Sequence, residues 1–430
     1  MSKTASYITL GCKLNYAETS TYERGFINAG YESVPWNKGA DLFVINTCSV
    51  TEHADKKSRN IIRKLHKVSP DATIVVTGCY AQLKKAEVES LEGVSLVFGA
   101  NEKSSLVTTT LSYIAQRTEF KPTTSPQEET FAAYSSGEER TRSFLKVQDG
   151  CDNFCAYCTV PFARGRSRSI SIEEAVGNAR RIAASGVKEI VITGVNTGDF
   201  GRNTGESFLD LLKALNNVEG IERYRISSIE PNLLTDEMVD WIASGTKFQP
   251  HFHIPLQSGS DTILKDVGRH YDTEFFARKI EYIRSKMDPA TGEKNPDGTL
   301  KPKVFFGIDV IAGLPGETDE LFMETYNFLK DRIKPAFIHI FPYSKRPGTR
   351  SAARKDQVQD CVKTKREEML EAPCDSLHRE FVDANRGVKE TVLFEDDCKN
   401  GIMGGYTGND IRVEKPWDPA LAGKLTEVIL

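Results

Sequence analysis

The chain has 430 residues, 39% of them hydrophobic, with 56 Lys and Arg against 60 Asp and Glu for a formal net charge of −4. A mean hydropathy of −0.39, and no apolar run near the ~18 residues of a membrane span, exclude a membrane-embedded protein and fit about three globular domains at ~150 residues each. Slight acidity excludes global attraction to a polyanion, so any nucleic-acid contact must be a local basic patch.

Residues 1–118 alternate short β-branched runs (7–10, 42–45, 73–77 and 96–98) with helix candidates near 16–29, 52–68 and 80–90, the βαβ rhythm of a parallel α/β sheet. Met1-Ser2-Lys3-Thr4 leads straight into the first run rather than into a signal peptide, so a cytoplasmic protein is expected. Residues 119–140 carry two prolines, many Thr, Ser, Glu and Gln, and no periodicity, and read as a linker. A second series occupies 141–375, with strands expected at 143–147, 190–192, 224–226, 252–254, 304–306 and 337–341. Six units predict an open (βα)6 barrel rather than a closed one of eight. The turn-rich interval 288–302 reads as a surface insertion. A charged helical connector follows about residue 350. Residues 376–430 then offer short strands separated by Gly and Asn-Asp turns, which suggests a small antiparallel β-barrel.

Nine cysteines are too sparse for a disulfide scaffold. Cys151, Cys155 and Cys158 form CxxxCxxC directly after the first strand of the second series. Three thiolates on one short loop can hold three irons of a cubane, leaving the fourth iron open to a small molecule. Zinc is the rival occupant, but it normally collects four ligands in structural sites or histidines in catalytic ones, and the loop contains no His. Cys12, Cys48 and Cys79 each follow a predicted parallel strand, the end at which ligands gather in open α/β sheets. They read either as a metal site or as three small buried hydrophobes. Cys361, Cys374 and Cys398 show no such pattern and read as structural or incidental.

The segments TLGCKLN, INTCSVT, VTGCYAQ, VQDGCDNFCAYCTVPFARGRSRS, RISSIEP, HIPLQSGSD, GLPGET and FPYSKRPGT resemble the radical S-adenosylmethionine (SAM) methylthiotransferases over nearly the whole chain. GCKLN, ARGRSRS and SSIEP are most similar to the branch acting on threonylcarbamoyladenosine of tRNA. The resemblance implies a Rossmann- or flavodoxin-like parallel α/β domain, an open six-stranded radical SAM barrel and a C-terminal TRAM domain, an OB-like β-barrel that binds RNA. It implies a 4Fe-4S cluster on Cys151, Cys155 and Cys158 that chelates SAM, and an auxiliary 4Fe-4S or 3Fe-4S cluster on Cys12, Cys48 and Cys79.

The implied reaction is methylthiolation at carbon 2 of N6-threonylcarbamoyladenosine at tRNA position 37, beside the anticodon. Isopentenyladenosine of tRNA, or an aspartate of a small-subunit ribosomal protein, is the alternative substrate within the family. That carbon–hydrogen bond is beyond acid–base chemistry, so cofactors must carry the hard step, and no catalytic side chain is expected beyond the cluster ligands. The partners implied are the tRNA anticodon stem-loop and a reductase donor such as flavodoxin or ferredoxin. A monomer without a membrane partner is expected. The rival of another class is a non-catalytic iron-sulfur protein, which would usually complete four cysteines per cluster.

Barrel ligands sit at the carboxyl ends of strands, which nominates Thr193, Asn196, Ser228, Glu230, Gln257, Ser258, Asp309 and Tyr343 for SAM. His251 and His253 share one strand face and read as structural histidines. For RNA, Arg164, Arg166 and Arg168 follow the cluster loop with no acid among them. Residues 344–370 hold eight Lys or Arg against four Asp or Glu and read as a solvated helix face. Residues 383–430 hold nine acids and six bases, so RNA contact there would rest on one face, with Arg386, Lys389, Lys399 and Arg412 as candidates.

Overall fold

The computed structural model describes residues 3–116, 133–135, 141–288 and 301–430. Apart from residues 133–135, the expected linker falls outside them, and so does most of the expected insertion.

Leu42–Thr47 is buried at all six positions, as a strand covered on both faces must be. It lies at the centre of a five-stranded parallel sheet of β1 (Lys3–Thr9), β2 (Tyr31–Ser33), β3 (Leu42–Thr47), β4 (Thr73–Gly78) and β5 (Val94–Val97), ordered β2-β1-β3-β4-β5. The edge strand β2 was not expected from the sequence, because three residues with Glu32 and Ser33 exposed carry no hydrophobic pattern. The helix expected at 80–90 is two short helices, Cys79–Leu83 and Lys85–Glu89, broken at Lys84. Helix Glu52–Val68 starts where Thr51 accepts a hydrogen bond from the Ala54 amide, an ordinary N-cap.

The second unit contains β6 (Ala133–Tyr134), β7 (Arg142–Lys146), β8 (Gln148–Asp149), β9 (Arg168–Ser169), β10 (Glu189–Thr193), β11 (Arg223–Ile226), β12 (His251–Gln257), β13 (Phe305–Ala312) and β14 (Phe337–Pro342). Strands β7, β10 and β11 pair in parallel, as do β12, β13 and β14. Bridges Tyr224–Phe248 and Ser228–His253 join the two sets into one open barrel of six parallel strands. Its helices bury their apolar faces on the outside of the strands, and the long helix Asp360–Ala384 packs against β14.

The last unit is an antiparallel sheet of β15 (Lys389–Lys399), β16 (Ile402–Thr407), β17 (Arg412–Pro416) and β18 (Leu425–Ile429), ordered β17-β16-β15-β18. A bulge between Phe394 and Cys398 bends β15, and the sheet curls into a half-barrel. It closes the floor of the larger barrel through arginines at the amino ends of the strands. Arg223 donates to the Thr391 and Tyr406 carbonyls, Arg225 to the Thr407 carbonyl at 2.6 Å and to Asp410 at 3.0 Å, and Arg142 to Glu395 at 3.2 Å.

Candidate active site

Two trios of thiols stand at the carboxyl ends of strands, one in each α/β unit. Cys151, Cys155 and Cys158 lie in the loop between β8 and helix Val160–Arg164. Gly150 is the hinge of this loop: at φ +72° its absent Cβ would fall 2.0 Å from the Arg166 carbonyl, so only glycine fits. Cys12 and Cys48 follow β1 and β3, and Cys79 follows β4 at the start of the next helix. Gly11 brings the first two loops together, since a Cβ there would lie 2.8 Å from Cys48 Cβ.

Among the described residues, only His253, Asp309 and His339 have ligand atoms all within 4.8 Å of one another. All six cysteines are free thiols. Burial pushes the Cys151 thiol up to about 11, Cys158 up to about 12 and Cys48 up to about 11, and the neighbouring thiols of each trio push in the same direction. Thiols crowded in this way ionise readily only beside a cationic partner, so each trio is suited to hold metal.

Polar donors surround the first trio. The Val160 amide donates to Cys158 Sγ at 3.4 Å, and Arg269 donates to Cys155 Sγ at 3.3 Å while pairing with Glu230 at 2.9 Å. Asn153 donates to the same Glu230 carboxylate at 2.8 Å. Sequence reasoning missed Arg269 and Asn153. Asn153 lies within the cluster loop, but no spacing pattern marks Arg269.

The residues nominated for SAM divide. Asn196 and Glu230 are buried side by side, with Asn196 Oδ1 accepting from the Glu230 amide at 3.4 Å. Asn196 Nδ2 and the neighbouring Ser227 Oγ are buried polar atoms with no partner among the described residues, as expected where a polar ligand completes a site. Ser228 keeps partial water access beside His253, and Gln257 adopts φ +73° at the end of β12. Thr193 is fully buried and donates to Val191 of its own strand. Ser258 meets Thr325 Oγ1 at 3.1 Å and fastens a neighbouring helix. Tyr343 packs with Ala156 and Leu314 beneath the cluster loop. Asp309 lies deeper, paired with His253 at 2.6 Å.

Arg164 corrects the RNA expectation most sharply. Only 3% exposed, it meets Asp149 at 2.9 Å, Glu18 at 3.3 Å and Asn15 Oδ1, the same oxygen that faces Cys12 Sγ at 3.7 Å. Its guanidinium lies within electrostatic reach of all three cysteines of the second trio. A residue six positions beyond Cys158 therefore reaches the other cysteine site. Around it, Glu18 receives Lys103 at 2.8 Å and Lys146 at 2.7 Å, and Lys146 meets Asp149 at 2.6 Å, so a buried ion network joins the two units. Arg346 makes a second link, to Ser49 at 2.8 Å and Asp55 at 2.9 Å.

Arg168 is also mostly covered, donating to the Arg164 carbonyl at 2.6 Å. Arg166 alone of the three is open, 75% exposed and stacked 4.7 Å over Phe154. Phe154 and Phe162 are exposed and meet edge-to-face at 6.0 Å, an aromatic pair that charge counting overlooked. Arg386, Lys389 and Arg412 are exposed and paired with Asp383, Glu427 and Glu414 at 2.8–2.9 Å. Such surface pairs are worth ~0–1 kcal/mol, so a phosphate could displace the acid. In the connector, Arg366 is buried against Glu317 and Asp319, each at 2.7 Å, rather than solvated. No helix among the described residues is long and apolar enough to cross a membrane.

Comparison with known proteins places these features in context. Residues 4–99 match a model described as an uncharacterized protein family, UPF0004, and residues 145–329 match that of the radical SAM superfamily. Threonylcarbamoyladenosine tRNA methylthiotransferase MtaB of Bacillus subtilis is 38% identical, covering 99% of this chain and 93% of the relative. The Aquifex aeolicus protein of the same name is 36% identical, covering 99% of each. The tRNA-2-methylthio-N(6)-dimethylallyladenosine synthase of Carboxydothermus hydrogenoformans is 32% identical, covering 98% of this chain and 95% of that one. Among solved structures, the radical SAM methyltransferase TsrM of Kitasatospora setae shares the fold at a TM-score of 0.57 and 14% identity, over 82% of this chain and 77% of that one.

Proposed function

The chain belongs to the radical SAM threonylcarbamoyladenosine tRNA methylthiotransferases, and from that premise we infer how its residues divide the reaction. The activity is methylthiolation at carbon 2 of N6-threonylcarbamoyladenosine in tRNA, next to the anticodon, with a 4Fe-4S cluster and SAM as cofactors. The observation that carries the reading is Arg164, which ties the loop of one cysteine trio to the second trio across a domain boundary. When bound, the cluster with SAM supplies a carbon radical able to attack an unactivated C–H bond, and an auxiliary cluster supplies sulfur.

Cys151, Cys155 and Cys158 hold the first cluster, with Arg269 and the Val160 amide donating to their sulfurs. Asn196, Glu230, Ser227 and Gln257 are the polar groups best placed to bind SAM, and the unpaired Asn196 and Ser227 atoms support this. Cys12, Cys48 and Cys79 hold the auxiliary cluster. Glu18, Lys103, Lys146, Asp149 and Arg164 fix the two units together, so that both trios address one substrate. Electrons come from a flavodoxin- or ferredoxin-type reductase, and the working unit is a monomer.

Mass spectrometry of tRNA nucleosides from a deletion strain is expected to show threonylcarbamoyladenosine without its methylthio form. Persistence of that form, with loss of methylthio-isopentenyladenosine instead, would reassign the substrate. Iron and sulfide analysis of anaerobically prepared protein is expected to give about seven to eight irons per chain, while about four would leave only the barrel cluster.

The anticodon loop meets the protein at Arg166, Phe154 and Phe162, exposed beside the cluster loop. Phe162→Ala is expected to weaken stem-loop binding by about 1–3 kcal/mol through lost base stacking. Arg166→Ala is expected to lower the slope of log K against log salt by about 1. Unchanged affinity and slope in a salt titration would remove this patch from the RNA interface.

A further inference from the structure

Side chains alternate along β13, and the lumen-facing set changes character with depth. Phe306, Ile308 and Val310 face the outer helical core. Of the others, Ile311 packs against the apolar cluster that contains Ala156 of the cluster loop, and Phe305 shares another, near the floor, with Ile411 of the final unit. Between them lie Gly307 and Asp309, so Asp309 sits one strand layer, ~7 Å, beneath the contact with the cluster loop.

At this level Asp309 meets His253 Nε2 at 2.6 Å, and the His253 ring stacks on His339 at 4.7 Å. Gly307 makes room for this pair, because a Cβ there would lie 3.2 Å from His339 Nε2. All three polar residues keep partial water access inside the barrel, with His253 22% and Asp309 17% exposed.

Lys13, from the other unit, lines a cavity together with His251, two residues before His253 on the same face of β12. It stands where two cavities meet, one of ≈ 590 Å³ beside Cys12 and Trp36, and one of ≈ 900 Å³ bounded by Arg142, Arg225 and His251. Its side chain is open to water. Lys13 lies within electrostatic reach of Asp309 and His339 but forms no ion pair or hydrogen bond among the described residues. The neighbouring arginines are engaged, Arg142 with Glu395 and Arg225 with Glu189 and Asp410.

The uncommitted groups of the lumen are thus an ammonium and the imidazole of His339, beside a His–Asp pair whose carboxylate is already matched. Burial and the neighbouring His253 push His339 down to about 4, so it is a neutral donor at physiological pH. A metal ion fits this trio poorly. Rings stacked at 28° direct their in-plane lone pairs side by side rather than at one point.

We propose that Lys13, His253, Asp309 and His339 form the recognition site for a carboxylate-bearing substituent on the substrate base, holding it one strand layer below the cluster loop. This rests on the methylthiotransferase reading, in which the base carries a threonylcarbamoyl group. That group ends in a carboxylate, suited to Lys13 and His339, and offers hydroxyl and urea N–H groups to the His253–Asp309 pair. A stem-loop base reaches the lumen only by leaving its stack, and a counter-charge for its tail rewards that movement.

The test measures binding of fluorescent anticodon stem-loops to anaerobic holoenzyme, with threonylcarbamoyladenosine, its methyl ester or plain adenosine at the target position. Wild type is expected to prefer the free acid over the ester about tenfold, the effect of one charge-assisted hydrogen bond. Lys13→Met and His339→Phe are expected to reduce that ratio to about one while leaving affinity for the plain stem-loop unchanged. His339→Leu, which adds no bulk, serves as a second variant and is expected to match His339→Phe. A ratio that stays near tenfold in the variants, or a wild type that does not distinguish acid from ester, would overturn the site. Stoichiometric metal beyond the cluster iron, lost in His339→Phe with the ratio unchanged, would overturn it in favour of a metal ion. Product formation by wild type on the free-acid stem-loop reads the parent function separately, so the site can fail while that function stands.

Discussion

Cys155→Ala is expected to reduce 5′-deoxyadenosine formation to the level of a protein-free control, whereas Cys48→Ala is expected to keep it and lose methylthio product. The asymmetry follows from where the thiols stand. Cys155 is one of three ligand thiols on one loop, its sulfur is met by Arg269 at 3.3 Å, and the adjacent orphan donors on Asn196 and Ser227 are suited to SAM. Removing one of three ligands at a site with no nearby fourth cysteine leaves the cluster without its mooring. Cys48 belongs to the other α/β unit, where Gly11 packs against it, and Arg164 is its link toward the barrel loop. Its loss should halve the iron content and leave SAM cleavage uncoupled from sulfur transfer. Anaerobic assays of 5′-deoxyadenosine and of methylthiolated nucleoside, run on the same samples, check this. Equal loss of both activities in the two variants would mean that the two units do not divide the labour.

Glu18→Gln is expected to destabilise the junction of the two α/β units by about 3–5 kcal/mol, the usual cost of removing one partner from a buried ion network. Glu18 is fully buried and receives Lys103, Lys146 and Arg164, while Asp149 alone would remain to balance the three cations. Burial by itself would raise the Glu18 pKa. Lys103, Lys146 and Arg164 outweigh it and hold the carboxyl well below its usual range. A depressed carboxylate pKa contributes stability that is fully present above the unfolded value of ~4.3 and is lost as pH falls toward the folded value. The gap between wild type and variant should therefore be flat from pH 5 to 8 and narrow below about pH 4. Denaturant unfolding with hydrogen exchange at helix Lys13–Asn28 reads it out. A difference below about 0.5 kcal/mol at neutral pH, the scale of an ordinary surface change, would show that the network does not hold the units together.

Legibility differed among the three kinds of site residue. The CxxxCxxC trio was plain in the text because its ligands share one loop, where spacing and geometry coincide. Cys12, Cys48 and Cys79 are dispersed, and they became legible only because parallel strands deliver their ends to one edge of a sheet. Arg164 was misread as an RNA contact, since Arg166 and Arg168 follow it with no acid among them while its partners Glu18 and Asn15 are more than 140 residues away. Arg269 and Lys13 could be found only in the fold. Lys13 sits in the GCKLN segment next to Cys12, but nothing local says that it faces the lumen of a barrel formed 130 residues later.

Element order, the six-strand barrel and both cysteine trios follow from periodicity and strand ends, which are short-range properties of a chain with one hydrophobic pattern per element. The pairing of charges does not. Glu18 with Lys146, Arg225 with Asp410 and Lys13 near His339 depend on how separately folded units dock, and a charge carries no mark of the partner it will meet across such an interface. Tertiary packing thus turned the arginine beside the cluster from a surface contact into the link between two cysteine sites. Burial makes these pairings obligatory, because a charge removed from water must find its counter-charge or lose its ionised form.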